Sequence, residues 1–127
     1  MKPATDDTPP QDGPTQEFFT DGTLSASGEY RDGAKHGEWK HFYRNGQLKA
    51  VGRILAGVMV GPWTWYRENG NLLQTGTFED GVQVGNWKRF HENGVLMDEG
   101  AFANGKRTGE WKYYDTTGTY LRSKNHR

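Results

Sequence analysis

Cysteine is absent from this 127-residue chain, so neither disulfides nor thiolate chemistry can operate in it. Net charge is absent too, with 16 Lys and Arg against 16 Asp and Glu, which removes any long-range pull toward nucleic acid or an anionic membrane. No apolar run is long enough for a signal peptide or a membrane span, so the expected location is the cytoplasm. Leu, Ile, Val and Phe are scarce, a shortage that often accompanies disorder. Disorder also goes with high net charge and few aromatics. Here 13% of residues are Phe, Trp or Tyr, which points to an ordered but thin structure held by rings.

What the chain has in quantity is glycine, and its 18 glycines fall into four registers of a 24-residue repeat. The series begin at Gly13, Gly22, Gly28 and Gly33 and each recurs at steps of 24. Trp39, Trp63, Trp87 and Trp111 keep the same step. A fixed period of this size marks a repeat architecture, in which one supersecondary unit cannot bury its apolar surface alone. Residues 1–12 are rich in Pro, Asp and Thr and are expected to form a disordered tail. Residues 13–127 then form the array: a partial unit, four full units starting at Asp21, Asn45, Asn69 and Asn93, and a half unit from Thr117. Thr15 stands where later units have Trp, as expected of an atypical terminal repeat.

Each unit reads turn, strand, turn, strand, with helical periodicity nowhere. Asn45-Gly46, Asn69-Gly70 and Asn93-Gly94 predict type I′ hairpins. The second turn, from Gly33 to Gly37 and its copies, predicts a slightly longer loop. Strands joined by short turns are antiparallel neighbours. The expected fold is therefore all-β: an elongated, single-layer antiparallel β-meander of about ten strands.

A two-residue loop at Asn45-Gly46 sets Trp39 opposite Gly52 and Tyr43 opposite Leu48. The same rule sets Trp63 opposite Gly76, Trp87 opposite Gly100 and Arg89 opposite Asp98. An indole over a strand glycine covers backbone that would otherwise be bare. On this reading Gly76→Val displaces Trp63. Alternation puts Trp39, Tyr43, Leu48, Gly52 and Ile54 on one face. The other face carries Phe42, Tyr66, Phe90 and Tyr114 beside Lys40, Lys88 and Lys112.

Catalytic patterns do not emerge. Asp32 and Asp80 occupy turn slots shared with Ala56 and Asn104, and Glu38 and Glu110 share a register with Pro62 and Asn86. His36, His41, His91 and His126 fall in four different registers, unlike a metal-ligand set. Ser25, Ser27 and Ser123 lack a nucleophile elbow. No helix follows any glycine pair, so no phosphate cradle is expected. The chain reads as a non-enzyme without cofactor or metal.

The succession Gly37-Glu38-Trp39 with Phe42, Asn45-Gly46-Gln47-Leu48, Gly52-Arg53-Ile54 and Gly57, with its copies, resembles the MORN (membrane occupation and recognition nexus) repeats. It is most similar to their bacterial variant, often described as antitoxin-like. The resemblance spans roughly Gly13 to Leu121 and implies an elongated sheet that binds proteins, with no catalytic residues to transfer. Lipid contact is suggested by the family name alone.

Two surfaces follow as candidates. Trp65 shares its register with His41, Arg89 and Tyr113, so the repeat does not demand an indole there. Val58, Met59 and Val60 lie just before it, and such apolar excess often marks an interface. The expected contact surface for a protein partner, a toxin or a second copy is therefore Val58, Met59, Val60, Trp63 and Trp65. Trp65→Ala is expected to weaken binding by about 2 kcal/mol with little change in melting temperature. The alternative is a single-strand nucleic-acid surface of Lys40, Phe42, Tyr66, Lys88, Phe90, Lys112 and Tyr114. Glu68, Glu92 and Thr64 interrupt it.

Overall fold

The computed structural model describes residues 11–127, so the expected tail lies outside the described residues except for Gln11 and Asp12. Ten strands follow in chain order: β1 (Gly13–Phe18), β2 (Leu24–Arg31), β3 (Ala34–Phe42), β4 (Leu48–Leu55), β5 (Val58–Tyr66), β6 (Leu72–Glu79), β7 (Val82–Phe90), β8 (Leu96–Ala103), β9 (Lys106–Tyr114) and β10 (Tyr120–His126). They form one open sheet whose spatial order is the sequence order. Every pairing is antiparallel, as the meander reading expects.

The two turn types are the reverse of the expected ones. Asp32 and Gly33 both have positive φ, at 53° and 79°, and Arg31 pairs directly with Ala34. That is a two-residue type I′ hairpin. Ala56-Gly57, Asp80-Gly81 and Asn104-Gly105 repeat it. The longer loop expected there does not form. Gly37 instead sits in a bulge of β3 at φ 81°, a conformation that glycine adopts without a Cβ clash.

At the Asn-Gly sites only the glycine has positive φ. The Gly46 amide donates to the Tyr43 carbonyl and the Tyr43 amide to the Gln47 carbonyl, both at 2.9 Å. This is a type I turn followed by a left-handed glycine, the three-residue hairpin rather than type I′. Asparagine serves two neighbours there. The Asn45 carboxamide oxygen accepts from the Gln47 amide at 2.9 Å, and its Nδ2 donates to the Glu68 carbonyl, also at 2.9 Å.

The three-residue loop pairs Phe42, not Tyr43, with Leu48. One extra residue then enters β4, so that His41 faces Ala50 and the frame returns to Trp39 opposite Gly52. The expected tryptophan–glycine pairings therefore hold: Trp63 faces Gly76 and Trp87 faces Gly100. Arg89 faces Asp98 as well.

The direction of cover differs from the expectation. A Cβ built on Gly52 would stand 2.1 Å from the Trp63 ring, not against Trp39. Likewise Gly28 lies under Trp39, Gly76 under Trp87 and Gly100 under Trp111. Each indole leans back across the type I′ hairpin onto the preceding strand, so Gly76→Val would collide with Trp87 rather than displace Trp63. Three of the four indole N–H groups reinforce the lean. Trp39, Trp63 and Trp111 donate to the carbonyls of Glu29, Arg53 and Ala101, at 3.0–3.1 Å, each one residue beyond the covered glycine. Trp87 departs from this and donates to Val84 on its own strand.

These four indoles are the core. All are at most 3% exposed, and only Ala26, Ala50, Ile54 and Asp98 join them as non-glycine residues with buried side chains among the described residues. Phe78 and Phe102 meet the neighbouring indoles edge-on at 5.3–5.4 Å, a favoured quadrupole arrangement. Both rims are tied from repeat to repeat. The amides of Gly57, Gly81 and Gly105 donate to Lys35, Met59 and Gln83 on one rim. On the other, Tyr43, Arg67 and Asn93 donate to the carbonyls of Tyr66, Phe90 and Thr116. A single layer with no second sheet is thus stitched along its centre and both edges.

Candidate functional site

Beneath the constant tryptophans runs a row that the repeat leaves free: His41, Trp65, Arg89 and Tyr113. Each pairs with a residue of a second variable row, Ala26, Ala50, Gln74 and Asp98. The two rows decide the chemistry of the tryptophan face.

In the first half of the sheet, Ala26 and Ala50 are small, so large rings beside them leave a depression of about 370 Å³. Its floor and walls include Ala50, Ile54, Met59, Trp63, Trp65 and His41, with Glu17 and Phe19 at one end. Trp65 stacks on Trp63 at 6.0 Å and 30°, and also approaches Phe78 at 6.1 Å and Trp87 at 5.6 Å. Burial holds His41 below the usual imidazole range, and nearby Lys35 reinforces that. The imidazole is therefore neutral at neutral pH, and the depression is an apolar, ring-lined trough.

In the second half the same positions carry charge. Asp98 is fully buried, and the Arg89 Nε lies 3.1 and 3.2 Å from its two carboxylate oxygens, with Nη2 also donating to it. That hydrogen bonding raises the Arg89 pKa. The Arg107 guanidinium covers the Trp111 ring at 4.4 Å and donates to the Tyr113 hydroxyl at 3.3 Å. The cavity left there is only about 170 Å³.

The expected contact residues are not all together. Met59, Trp63 and Trp65 line the trough, Trp63 from a buried position. Val58 does not line it. It is 39% exposed and its Cγ1 packs on the Gly81 turn. Val60 pairs with Arg53 and does not line the trough either. Strand alternation, applied to Val58–Val60, separates Met59 from its two neighbours. The expected contact set left out Ile54, Ala50 and His41, which also line the trough. The small side chains of the 26/50 register open the trough, but an alanine alone does not announce one. Trp65 also packs against the core cluster, so the expectation that its removal leaves the melting temperature unchanged gives way to a measurable loss.

The lysine-bearing face is electrically interrupted. Lys40 and Glu38 are 4.0 Å apart, and Glu99 pairs with both Lys88 and Lys112 across the ladder. Tyr114 donates to Glu99 at 2.9 Å, which raises the phenol pKa. Phe42 is among the residues lining the trough instead, and Tyr66 and Phe90 are half-buried rather than presented as a stacking platform. Among the described residues no cluster of His, Asp and Glu is placed to hold a metal ion.

No curated protein matches the chain. A family model described as the MORN repeat variant matches residues 35–52, 59–80 and 83–105. The matches follow one another at the step of the glycine and tryptophan registers, and the folded units on either side repeat the same hairpins. The chain belongs to the MORN repeat family, in its variant form.

Proposed function

We propose that this protein is a non-enzymatic, protein-binding scaffold of the cytoplasm whose contact surface is the trough around Trp65. The observation that carries the proposal is the stacked Trp63–Trp65 pair beside Met59 and Ile54 in an open apolar depression. Ring-lined pockets ringed by polar groups are where binding energy concentrates. The Trp/Gly ladder is complete without Trp65, whose register carries no indole in the other units. A partner offering one bulky apolar side chain, with an acid placed to reach Lys49, fits the trough, whose rim carries Lys49 and Glu17. A toxin neutralised in this way is one member of that class.

Immobilised wild-type chain, mixed with lysate of its native cell, is expected to retain one protein near stoichiometric amount. Met59→Glu, which places a charge in the trough, is expected to release it while leaving the circular dichroism spectrum unchanged. If the wild-type chain instead retains single-stranded oligonucleotides in a steeply salt-dependent way, the Lys40/Lys88/Lys112 face is the binding surface.

A further inference from the structure

The two outer strands of the sheet, β1 and β10, each leave one edge unpaired among the described residues. We propose that the β10 edge of one molecule receives the β1 edge of a second copy, continuing the repeat head to tail across the junction.

The repeat itself fixes the register. Asp98 pairs with Tyr113, Glu99 with Lys112, and Ala101 with Thr108 where β8 meets β9. One further step of 24 carries the first members to Arg122, Ser123 and Asn125. Tyr113, Lys112 and Thr108 share repeat registers with Glu17, Gln16 and Asp12. The junction therefore sets Arg122 against Glu17, Ser123 against Gln16 and Asn125 against Asp12 of the second copy. Each is a compatible polar or opposite-charge pair.

Both edges have changed together at the position that governs packing. Inside the array an indole covers a glycine at every such junction. At the outer edges the glycine register holds Lys124 and the tryptophan register holds Thr15. A lysine stem would collide with an indole but has room beside a threonine. Lys124 thus rejects an ordinary repeat strand while accepting β1. The backbone of β1 is already shaped for the role, since Gly13 keeps positive φ, 110°, in the register of the bulge glycines of the inner strands. Pro14 is no obstacle. Pro62 holds the same register in β5, where neither Gly61 nor Pro62 has a partner on β4.

Charge selects this junction over symmetric ones. From Tyr120 onward the chain carries Arg122, Lys124 and Arg127 and no acid, whereas residues 11–18 carry Asp12 and Glu17 and no base. Pairing β10 with β10, or β1 with β1, sets like charges together. In the isolated chain Arg122 rests on the Tyr113 ring at 4.5 Å, and Glu17 accepts from Tyr30 at 3.3 Å. Both groups sit on the edge strands and are engaged with the strand just inside, from which each would turn to meet the other copy. A head-to-tail contact does not close on itself, so it builds chains of molecules rather than a fixed dimer.

Sedimentation velocity of the wild-type chain is the test, at rising concentration in low salt. Association growing with concentration and receding at high ionic strength is expected. Arg122→Glu and Glu17→Arg are each expected to weaken it by about tenfold. An equimolar mixture of the two variants, which restores opposite charges at every junction, is expected to associate as the wild type does. A wild-type chain that stays monomeric at high concentration and low salt overturns the proposal. So does association abolished by Met59→Glu but indifferent to Arg122→Glu, which would place self-contact in the trough.

Discussion

The two halves of the tryptophan face share a backbone and differ in what fills it. At the 41/50/65 positions the residues are His41, Ala50 and Trp65, and one repeat pair further on they are Arg89, Asp98 and Tyr113. The first set leaves an open apolar trough. The second closes its floor with a buried carboxylate paired to a part-exposed guanidinium. Both sets lie beside the same indole-over-glycine ladder, so the ladder holds the sheet and the variable rows set its surface. The proposed contact surface thus occupies registers other than those of the ladder, within the same sheet.

The largest expected effect comes from breaking the charged half. Arg89→Ala leaves the Asp98 carboxylate buried without its guanidinium and is expected to cost about 3–5 kcal/mol, read from urea denaturation. A cost below about 1 kcal/mol would show that water reaches Asp98 and that the two halves differ less than their side chains suggest.

The ladder beneath both halves is expected to respond equally. Gly52→Ala and Gly100→Ala each bring a Cβ to within 2.1–2.2 Å of an indole that cannot retreat without opening the core. A loss of about 2–3 kcal/mol is expected at both, measured by thermal unfolding. Unequal losses would mean that the ladder is not the shared frame. Trp65→Ala belongs to the apolar half alone and is expected to cost about 2 kcal/mol, with partner binding lost as well.

The strict period made the sheet, its order and the Trp–Gly pairings legible from sequence, because a 24-residue step forces every unit into one register. Turn types were not legible. Asn-Gly suits a type I′ turn, yet Asn45 is employed for its side chain, which bridges to the Glu68 carbonyl beside the next Asn-Gly turn, and its own φ stays negative. The positive-φ pair went to Asp32-Gly33, whose aspartate tolerates it. The direction of each indole was hidden for a related reason. Trp39, Trp63 and Trp87 each have a glycine on both neighbouring strands, and the sequence pattern is the same for either choice. As for the site, periodicity exposed Trp65 as an exception, while the trough walls came from the smallness of Ala26 and Ala50, which carries no signal by itself.

Two smaller effects sharpen the contrast. Ala56 alone among the type I′ turns places an alanine at positive φ, 50°, where the others have Asp or Asn. Ala56→Gly is expected to stabilise by about 1 kcal/mol, whereas the same change at Asn104 in the charged half should gain little. The pH response should also differ. His41 has a folded pKa below its unfolded value near 6.5, so the unfolded chain binds the proton first. Stability contributed by His41 is present above that pH and falls as pH drops through it. The slope is expected to vanish in His41→Gln, followed by melting temperature between pH 7.5 and 5 at constant ionic strength.

Transplanting one half into the other tests most directly whether the variable rows carry recognition. His41→Arg/Ala50→Asp rebuilds the Arg89–Asp98 pair in the floor of the trough and leaves Trp63, Trp65 and every glycine in place. With the captured partner in hand, its affinity for this double variant is the deciding measurement. The sheet is expected to keep its circular dichroism spectrum while partner affinity drops at least about tenfold, roughly 1.4 kcal/mol. Undiminished affinity in a folded double variant would contradict the account and move the binding surface off the tryptophan face.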